Sequence, residues 1–596
     1  MSDFVILGPV LVPLAAAFLL PFLALLSRRL LPFLCLLAML LCLGLLFVAS
    51  GPVFGQGKVL VYWLGGWKPI GGLAVGINLA IDAWGLFIAL TIALIGVLAV
   101  LYSMVYMADE SGREAYYILL MLLIAALIGF ALTGDLFNQF VWLEILSFSA
   151  FALTAFHYEE RIAVEGAFKY LITNSVAALF ILVALALLYA TTGALNLADA
   201  AGEFGRTSGE FIALGLLFAG YATKTALVPW HFWLPDAYDA APAPVTAVFS
   251  GALSKVGIYA IGRLLFTLTP LRFNFEVGEV FLVIAALTMF VGGFQMLRQD
   301  SIKRILAYSS VSQMGYILMG LALGTPLGIA AACVHILNHA LTKAALFFGA
   351  GSLRLRAGVS NLSEGGGLIR RMPATFGLMA LAGLSLSGIP LTIGFISKTM
   401  LEEAAVEDGV RWLVAIAVIS SVFTFAGVGR LLWRVFFGDE MERSYDGAGE
   451  GRPLALLAMS IPVLLSILVG VFPRLPLRWF AWPSAAALLQ PGRYVANILV
   501  LESRPPSLSV QVVPPPHLLE WTVWPVPILV AACGVLLAYY SLPENEKRFW
   551  ELPLIKHSYR LFRRWHSGLV TDYLLWNAFS TSVLLVLFVV IYSEVI

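Results

Sequence analysis

The strongest constraint on this chain is a succession of apolar runs, each long enough to cross about 30 Å of hydrocarbon as a helix. Sixteen are read along the sequence, near 4–27, 30–49, 79–104, 116–134, 135–156, 164–190, 209–230, 242–264, 276–297, 302–323, 327–352, 374–400, 411–437, 453–473, 520–541 and 576–594. Lipid offers no water to satisfy a backbone, so runs of this length close their hydrogen bonds internally as helices. The expected fold is an all-α polytopic membrane protein. Composition agrees: 61% of residues are hydrophobic and 12% charged, which excludes a large soluble enzyme. A net charge of +1 provides no bulk field to attract nucleic acid. The first run has no basic region before it, and Arg28 and Arg29 follow it, so it is expected to be a retained span rather than a signal peptide.

Basic residues assign an orientation. With the N-terminus external, the expected cytoplasmic loops hold 22 of the 36 Lys and Arg, as retained loops should. Lys169 is counted among these. Four lysines fit no loop, because Lys224, Lys255, Lys343 and Lys398 each sit inside an apolar stretch. Two spans also read as broken: the seventh runs from Lys224 to Pro229 at its end, and the twelfth contains Gly388 and Pro390 shortly before Lys398. Proline within a span frees carbonyls that only protein or a wet cavity can satisfy. The stretches 116–264 and 276–437 each hold five spans, one broken helix and a nearby lysine, the pattern of an inverted repeat. The expected organisation is therefore 1–115 as N-terminal spans with an external hairpin, two inverted five-helix repeats at 116–264 and 276–437, and a fourteenth span at 453–473. An external Pro-rich loop at 474–519 and a C-terminal unit at 520–596 complete it.

The ionisable residues within spans carry the chemistry. Glu144 lies roughly 13 Å into its span, and a carboxylate at that depth requires a partner or a function. Lys224 is its natural partner; a fixed ion pair, or a lysine that snorkels to the surface, are the competing readings. A lysine whose counter-charge moves nearer or farther can take up and release a proton. His335, His339 and Lys343 repeat at i, i+4 and i+8, on one helix face over about 12 Å, and such a row can relay protons. Lys255 and Lys398 extend the row to either side, although Lys398 also has Glu402 at i+4 for a local pair. Metal is rejected for the two histidines, since no nearby Cys, Asp or Glu completes a ligand set. Cys35, Cys42, Cys333 and Cys533 form no CxxC pair, and nucleotide-binding and hydrolase motifs are absent, so no cofactor is expected.

Several strings resemble a known family, the proton-translocating antiporter-like subunits of respiratory complex I, membrane-bound hydrogenases and multisubunit Mrp-type cation/proton antiporters. They are Asp135-Leu-Phe-Asn-Gln-Phe-Val-Trp-Leu-Glu144, Gly166-Ala-Phe-Lys-Tyr-Leu171, the stretch from Lys224 to Ala237, the stretch from Gln299 to Gly315, and His335-Ile-Leu-Asn-His-Ala-Leu-Thr-Lys343. The resemblance spans most of 1–475. It implies a core of about fourteen helices, with Glu144 and Lys224 as a carboxylate–lysine pair and Lys255 as a bridging lysine. His335, His339 and Lys343 would be the central relay and Lys398 the exit-side lysine. The run 240–259 is more similar to the D subunit of Mrp antiporters and the M subunit of complex I than to the large L or A subunits, and the run 388–398 looks more like the D type. The implied function is a proton-translocating subunit of a monovalent cation (Na+)/proton antiporter in the plasma membrane, with other membrane subunits as partners. A pump subunit of a redox-driven complex is the alternative; an ion-coupled module for inorganic carbon and a non-titrating scaffold rank lower. The tail beyond 475 departs from the D type. In it Leu552, Ile555, Tyr559 and Phe562 follow helical spacing among Lys556, Arg560, Arg563 and Arg564, as in an interfacial helix.

Overall fold

The structure, a computed structural model, describes residues 2–205, 207–269, 275–438, 448–500, 524–541 and 567–593. The expected interfacial helix within 542–566 and the Pro-rich run at 514–516 lie outside the described residues. The helices in chain order are α1 (Asp3–Leu26), α2 (Leu31–Ser50), α3 (Ala83–Tyr106), α4 (Arg113–Leu132), α5 (Leu136–Thr154), α6 (Arg161–Thr192), α7 (Leu197–Glu203) and α8 (Ser208–Thr225). They continue as α9 (Trp233–Ala240), α10 (Ala243–Val248), α11 (Ser254–Arg263), α12 (Phe275–Met296), α13 (Ile302–Ala322), α14 (Pro326–Ala357), α15 (Pro373–Ser387), α16 (Ile393–Glu407), α17 (Arg411–Leu432) and α18 (Pro453–Val471). Short helical segments follow within 474–499, then Pro525–Tyr540 and a last helix, Val570–Ser593. Among the described residues, 13 helices are long and apolar enough to cross a membrane. The other three expected spans appear as Ser208–Thr225, Pro373–Ser387 and Pro525–Tyr540. A two-stranded antiparallel hairpin, β1 (Leu60–Trp63) with β2 (Asn78–Ile81), pairs Leu60 with Ile81 between α2 and α3.

Helix starts follow local chemistry. Asp82 caps α3 by accepting from Gly85 N–H at 2.9 Å, Asp135 caps α5 through Asn138 N–H at 2.6 Å, and Thr325 caps α14 through Gly328 N–H at 3.1 Å with Pro326 in its first turn. The α14 helix is the axle of the molecule. It packs against α13, α15, α16, α18, α10 and α3, and 94% of its most apolar window is buried. Its stripe of His and Lys therefore faces protein rather than lipid.

Both expected breaks are present. Helix α8 ends at Thr225 and the chain resumes helix at Trp233; α15 ends at Ser387 and α16 starts at Ile393. Each break holds a non-glycine residue in the left-handed region, Ala226 at φ 60° and Leu391 at φ 68°, a conformation that costs a side-chain-bearing residue about 1–2 kcal/mol.

Glycines bring backbones into close approach beside these breaks. A Cβ on Gly257 would fall 2.0 Å from Thr225 Oγ1 and 2.7 Å from Tyr221 O, and one on Gly394 would fall 1.6 Å from Ser385 O. Helices α12 and α13 interlock in the same way, where a Cβ on Gly292 would fall 2.4 Å from Ser312 N and one on Gly315 2.6 Å from Met289 N.

One expectation changes form. The stretch 474–499, expected as part of an external loop, is largely helical, at Arg474–Pro476, Leu477–Ala481, Trp482–Leu489 and Pro491–Leu499. Its prolines read as breakers in sequence, but Pro483 and Pro491 sit in first turns, where a missing N–H is harmless.

Candidate functional site

Six of the seven candidate residues are buried, with Lys255, His335, His339 and Lys343 at 0% exposure, Lys224 at 2% and Lys398 at 4%. An ammonium buried at this depth costs several kcal/mol unless its protons find acceptors. The structure supplies hydroxyls and carbonyls in that role. Lys224, in the last turn of α8 just before the break, donates to Ser147 Oγ on α5 at 2.8 Å. Glu144 sits three residues before Ser147 on the same helix. It is not in ion-pair contact: Glu144 Oε1 is buried without a hydrogen-bond partner, and the residue lines an apolar groove between α4 and α5.

Lys255 opens α11 immediately after a wide π turn, Phe249–Leu253. Its Nζ reaches Ser250 O, Ser254 Oγ at 3.1 Å, and His339 Nδ1 on α14. The Lys255–His339 contact joins residues 84 positions apart, and it links the two stretches that sequence reads as repeats. The far nitrogen, His339 Nε2, is buried with no partner. One turn away on the same helix, His335 Nδ1 meets Ser397 Oγ at 2.9 Å and its Nε2 meets Gln313 Oε1 at 3.0 Å. Lys343 donates to Leu306 O at 2.7 Å. Because the two histidines turn their nitrogens to different partners, they do not converge on a metal position, and no group of three metal-capable side chains occurs among the described residues.

Lys398 lies in the second turn of α16, past the other break. It donates to Ser421 Oγ at 2.9 Å and Ser387 O at 3.4 Å, and stands 4.7 Å from the centroid of the Tyr316 ring. These contacts, and not an ion pair with Glu402, hold its ammonium. Ser397 ties the ends together, since it is next to Lys398 and bonded to His335. From Lys255 to Lys398 the polar atoms thus run through His339, His335 and Ser397, while Lys224 with Ser147 and Glu144 stands as a separate group at the first break.

Sequence reasoning missed the hydroxyl and amide partners Ser147, Ser250, Ser254, Gln313, Ser397 and Ser421. It also placed Lys169 in a loop. In the structure Lys169 is on α6, 5% exposed, and bound to Glu165 at 2.7 Å and Asp236 at 2.9 Å, with Arg304 on the other Asp236 oxygen at 2.6 Å. Its spacing from Glu165, at i+4, was the available signal. Nor does the sequence indicate what the last helix covers. It packs on α8, α6 and α12, where Trp230 Nε1 donates to Thr581 Oγ1 at 3.2 Å and Phe232 stacks on Tyr573 at 5.2 Å, so it lies over the segment between α8 and α9.

Fold and site together define a polytopic helical membrane protein built around a buried row of bases on broken and unbroken helices. Residues 133–424 match the model of the NADH:quinone oxidoreductase/Mrp antiporter transmembrane family, and 67–117 match that of the NADH-ubiquinone oxidoreductase (complex I) chain 5 N-terminus. The chain is 35% identical to the N subunit of the NADH-quinone oxidoreductase of Desulforudis audaxviator over 78% of its own length and 93% of that protein. It is 33% identical to the D-type subunit of the Na(+)/H(+) antiporter of Bacillus subtilis over 84% of its length and all of that protein. A chain of the membrane-bound sulfane sulfur reductase, an archaeal respiratory membrane complex, superposes with a TM-score of 0.77 at 31% identity, covering 83% of this chain and 100% of that one. The chain belongs to the NADH:quinone oxidoreductase/Mrp antiporter family.

Proposed function

We propose that this chain is a proton-translocating subunit of a multisubunit monovalent cation (Na+)/proton antiporter in the plasma membrane, and that Glu144, Lys224, Lys255, His335, His339, Lys343 and Lys398 form its proton path. The carrying observation is the contact of Lys255 Nζ with His339 Nδ1, flanked by lysines at two helix breaks. The partners of that contact favour one direction. With Lys255 charged, its three protons point to Ser250 O, Ser254 Oγ and His339 Nδ1, so His339 carries its own proton on Nε2. Transfer from Lys255 makes His339 an imidazolium, which can then release the Nε2 proton onward and return to neutrality with the other tautomer. In this reading a proton would arrive on Nδ1 and leave from Nε2 only when side-chain rotation or a water brings an acceptor to that nitrogen, which has no partner in the structure. Glu144, free of direct contact, can set the charge state of Lys224 as its own protonation changes.

Likeness to the D-type antiporter protein supports coupling to a monovalent cation. Likeness to the N subunit of the oxidoreductase and to a chain of the respiratory reductase supports a second reading, in which electron transfer in partner subunits drives the same path. Mass spectrometry of the assembly purified from native membranes separates the two: small hydrophobic subunits without flavin or iron–sulfur proteins support antiport, and redox subunits support the alternative. The path itself is tested with Glu144→Gln, which keeps size and removes charge. Proton-coupled transport in vesicles, assayed with Na+, K+ and Li+, is expected to fall at least about tenfold; wild-type rates in an assembled complex would sink the path.

A further inference from the structure

A second polar feature lies away from the row, at the end of the bundle that carries the β-hairpin. A cavity of about 650 Å³ opens between the turn after α2, the start of α3 and the helical segments within 474–499. Lys58, Arg474, Arg478 and Arg493 line it, against a single carboxylate, Asp82. Its Oδ1 takes both the ion pair with buried Arg263 and the cap of α3, and its Oδ2 is buried without a partner. None of the four lining cationic groups has an ion-pair or hydrogen-bond partner among the described residues. The side chains of Trp482 and Tyr494 complete its wall.

Four positive charges around one partly enclosed volume, where the one lining carboxylate among the described residues is paired with Arg263, raise the local potential and repel a cation. The cavity is therefore unsuited to the exported ion, whose route lies elsewhere. It suits an anion with several acceptor oxygens, because guanidinium groups bind phosphate oxygens in pairs and three arginines with Lys58 surround the space. The neighbouring surface says what carries that anion. Phe472, Leu475 and Trp479 beside the two arginines are 57%, 62% and 52% exposed, the mix of aromatic and aliphatic side chains found at a lipid–water boundary.

We propose that this cavity binds the phosphate headgroup of an anionic phospholipid, with the acyl chains lying over Phe472 and Leu475. The lipid would fasten the 474–499 segment to the hairpin end of the bundle, since the cations come from both.

The test uses the full chain in its native assembly, delipidated in mild detergent and titrated with dioleoylphosphatidylglycerol, with dioleoylphosphatidylcholine as the neutral lipid and sodium phosphate as the free anion. Bound lipid is counted by native mass spectrometry. Phosphatidylglycerol is expected to bind at least about tenfold more tightly than phosphatidylcholine, and Arg478→Gln with Arg493→Gln to abolish that preference. Lys58→Gln, which removes one charge from the hairpin side of the cavity, is expected to weaken it by about fivefold; this variant carries the test if the double variant fails to assemble. Equal retention of the two lipids, or wild-type preference in every assembled variant, overturns the proposal. Displacement of phosphatidylglycerol by sodium phosphate at similar concentration overturns it too, by making the site one for a free anion.

Discussion

At the scale of single residues, the proposed relay would rest on polar groups too few to be redundant. Lys255 and His339 touch directly, so they are expected to behave as one unit. Lys255→Met and His339→Leu should each slow proton-coupled transport at least about tenfold, and the double variant should be little worse than either, the non-additivity of residues in one network. Losses that multiply in the vesicle assay would mean that the two act independently. The bases themselves were legible in sequence because an ionised group inside an apolar run is costly enough to stand out. Their partners were not. Ser147 and Ser421 lie 77 and 23 positions from the lysines they accept from, and a serine in a membrane helix is too common to mark a site by itself. The groove-facing position of Glu144, apart from Lys224, also depends on rotation of α5 that no spacing encodes.

At the scale of elements, the two breaks share one device: a helix that stops beside a lysine and a non-glycine residue held at positive φ. The sequence disclosed the breaks through Pro229 and Pro390, but not the strained residues, which are neither proline nor glycine. Leu391 is 57% exposed, so replacing it removes little buried surface while relieving the left-handed conformation. Leu391→Gly is therefore expected to leave stability unchanged or raise it by up to about 1 kcal/mol; a clear fall in the detergent melting temperature would show that the leucine side chain anchors the break. The helical character of 474–499 was hidden by prolines that serve as first-turn residues. The covering role of the last helix was hidden for another reason, because Thr581 meets Trp230 across 351 positions of sequence.

At the scale of the whole molecule, most spans were legible from apolar length, with 13 of the sixteen expected long and apolar enough to cross among the described residues and three shorter or less apolar. The bias of Lys and Arg predicts an external N-terminus, and that orientation can be tested directly. A cysteine introduced at Asp3, in a background lacking the four native cysteines, should react with a membrane-impermeant maleimide in intact cells; labelling only after lysis would invert the topology. The glycine contacts described beside the breaks bear on how such a molecule can work. Transporters that alternate access need a seam along which one body slides past another. Here the seams nearest Lys224 and Lys398 are keyed backbone to backbone, at Gly257 against Tyr221 and Gly394 against Ser385, where even a methyl group has no room. What remains free to move close to the bases is side-chain rotation and water. With the proposed proton path, such a molecule would resemble a conductor more than a rocking gate, its two seams locked and only side chains beside them left to turn.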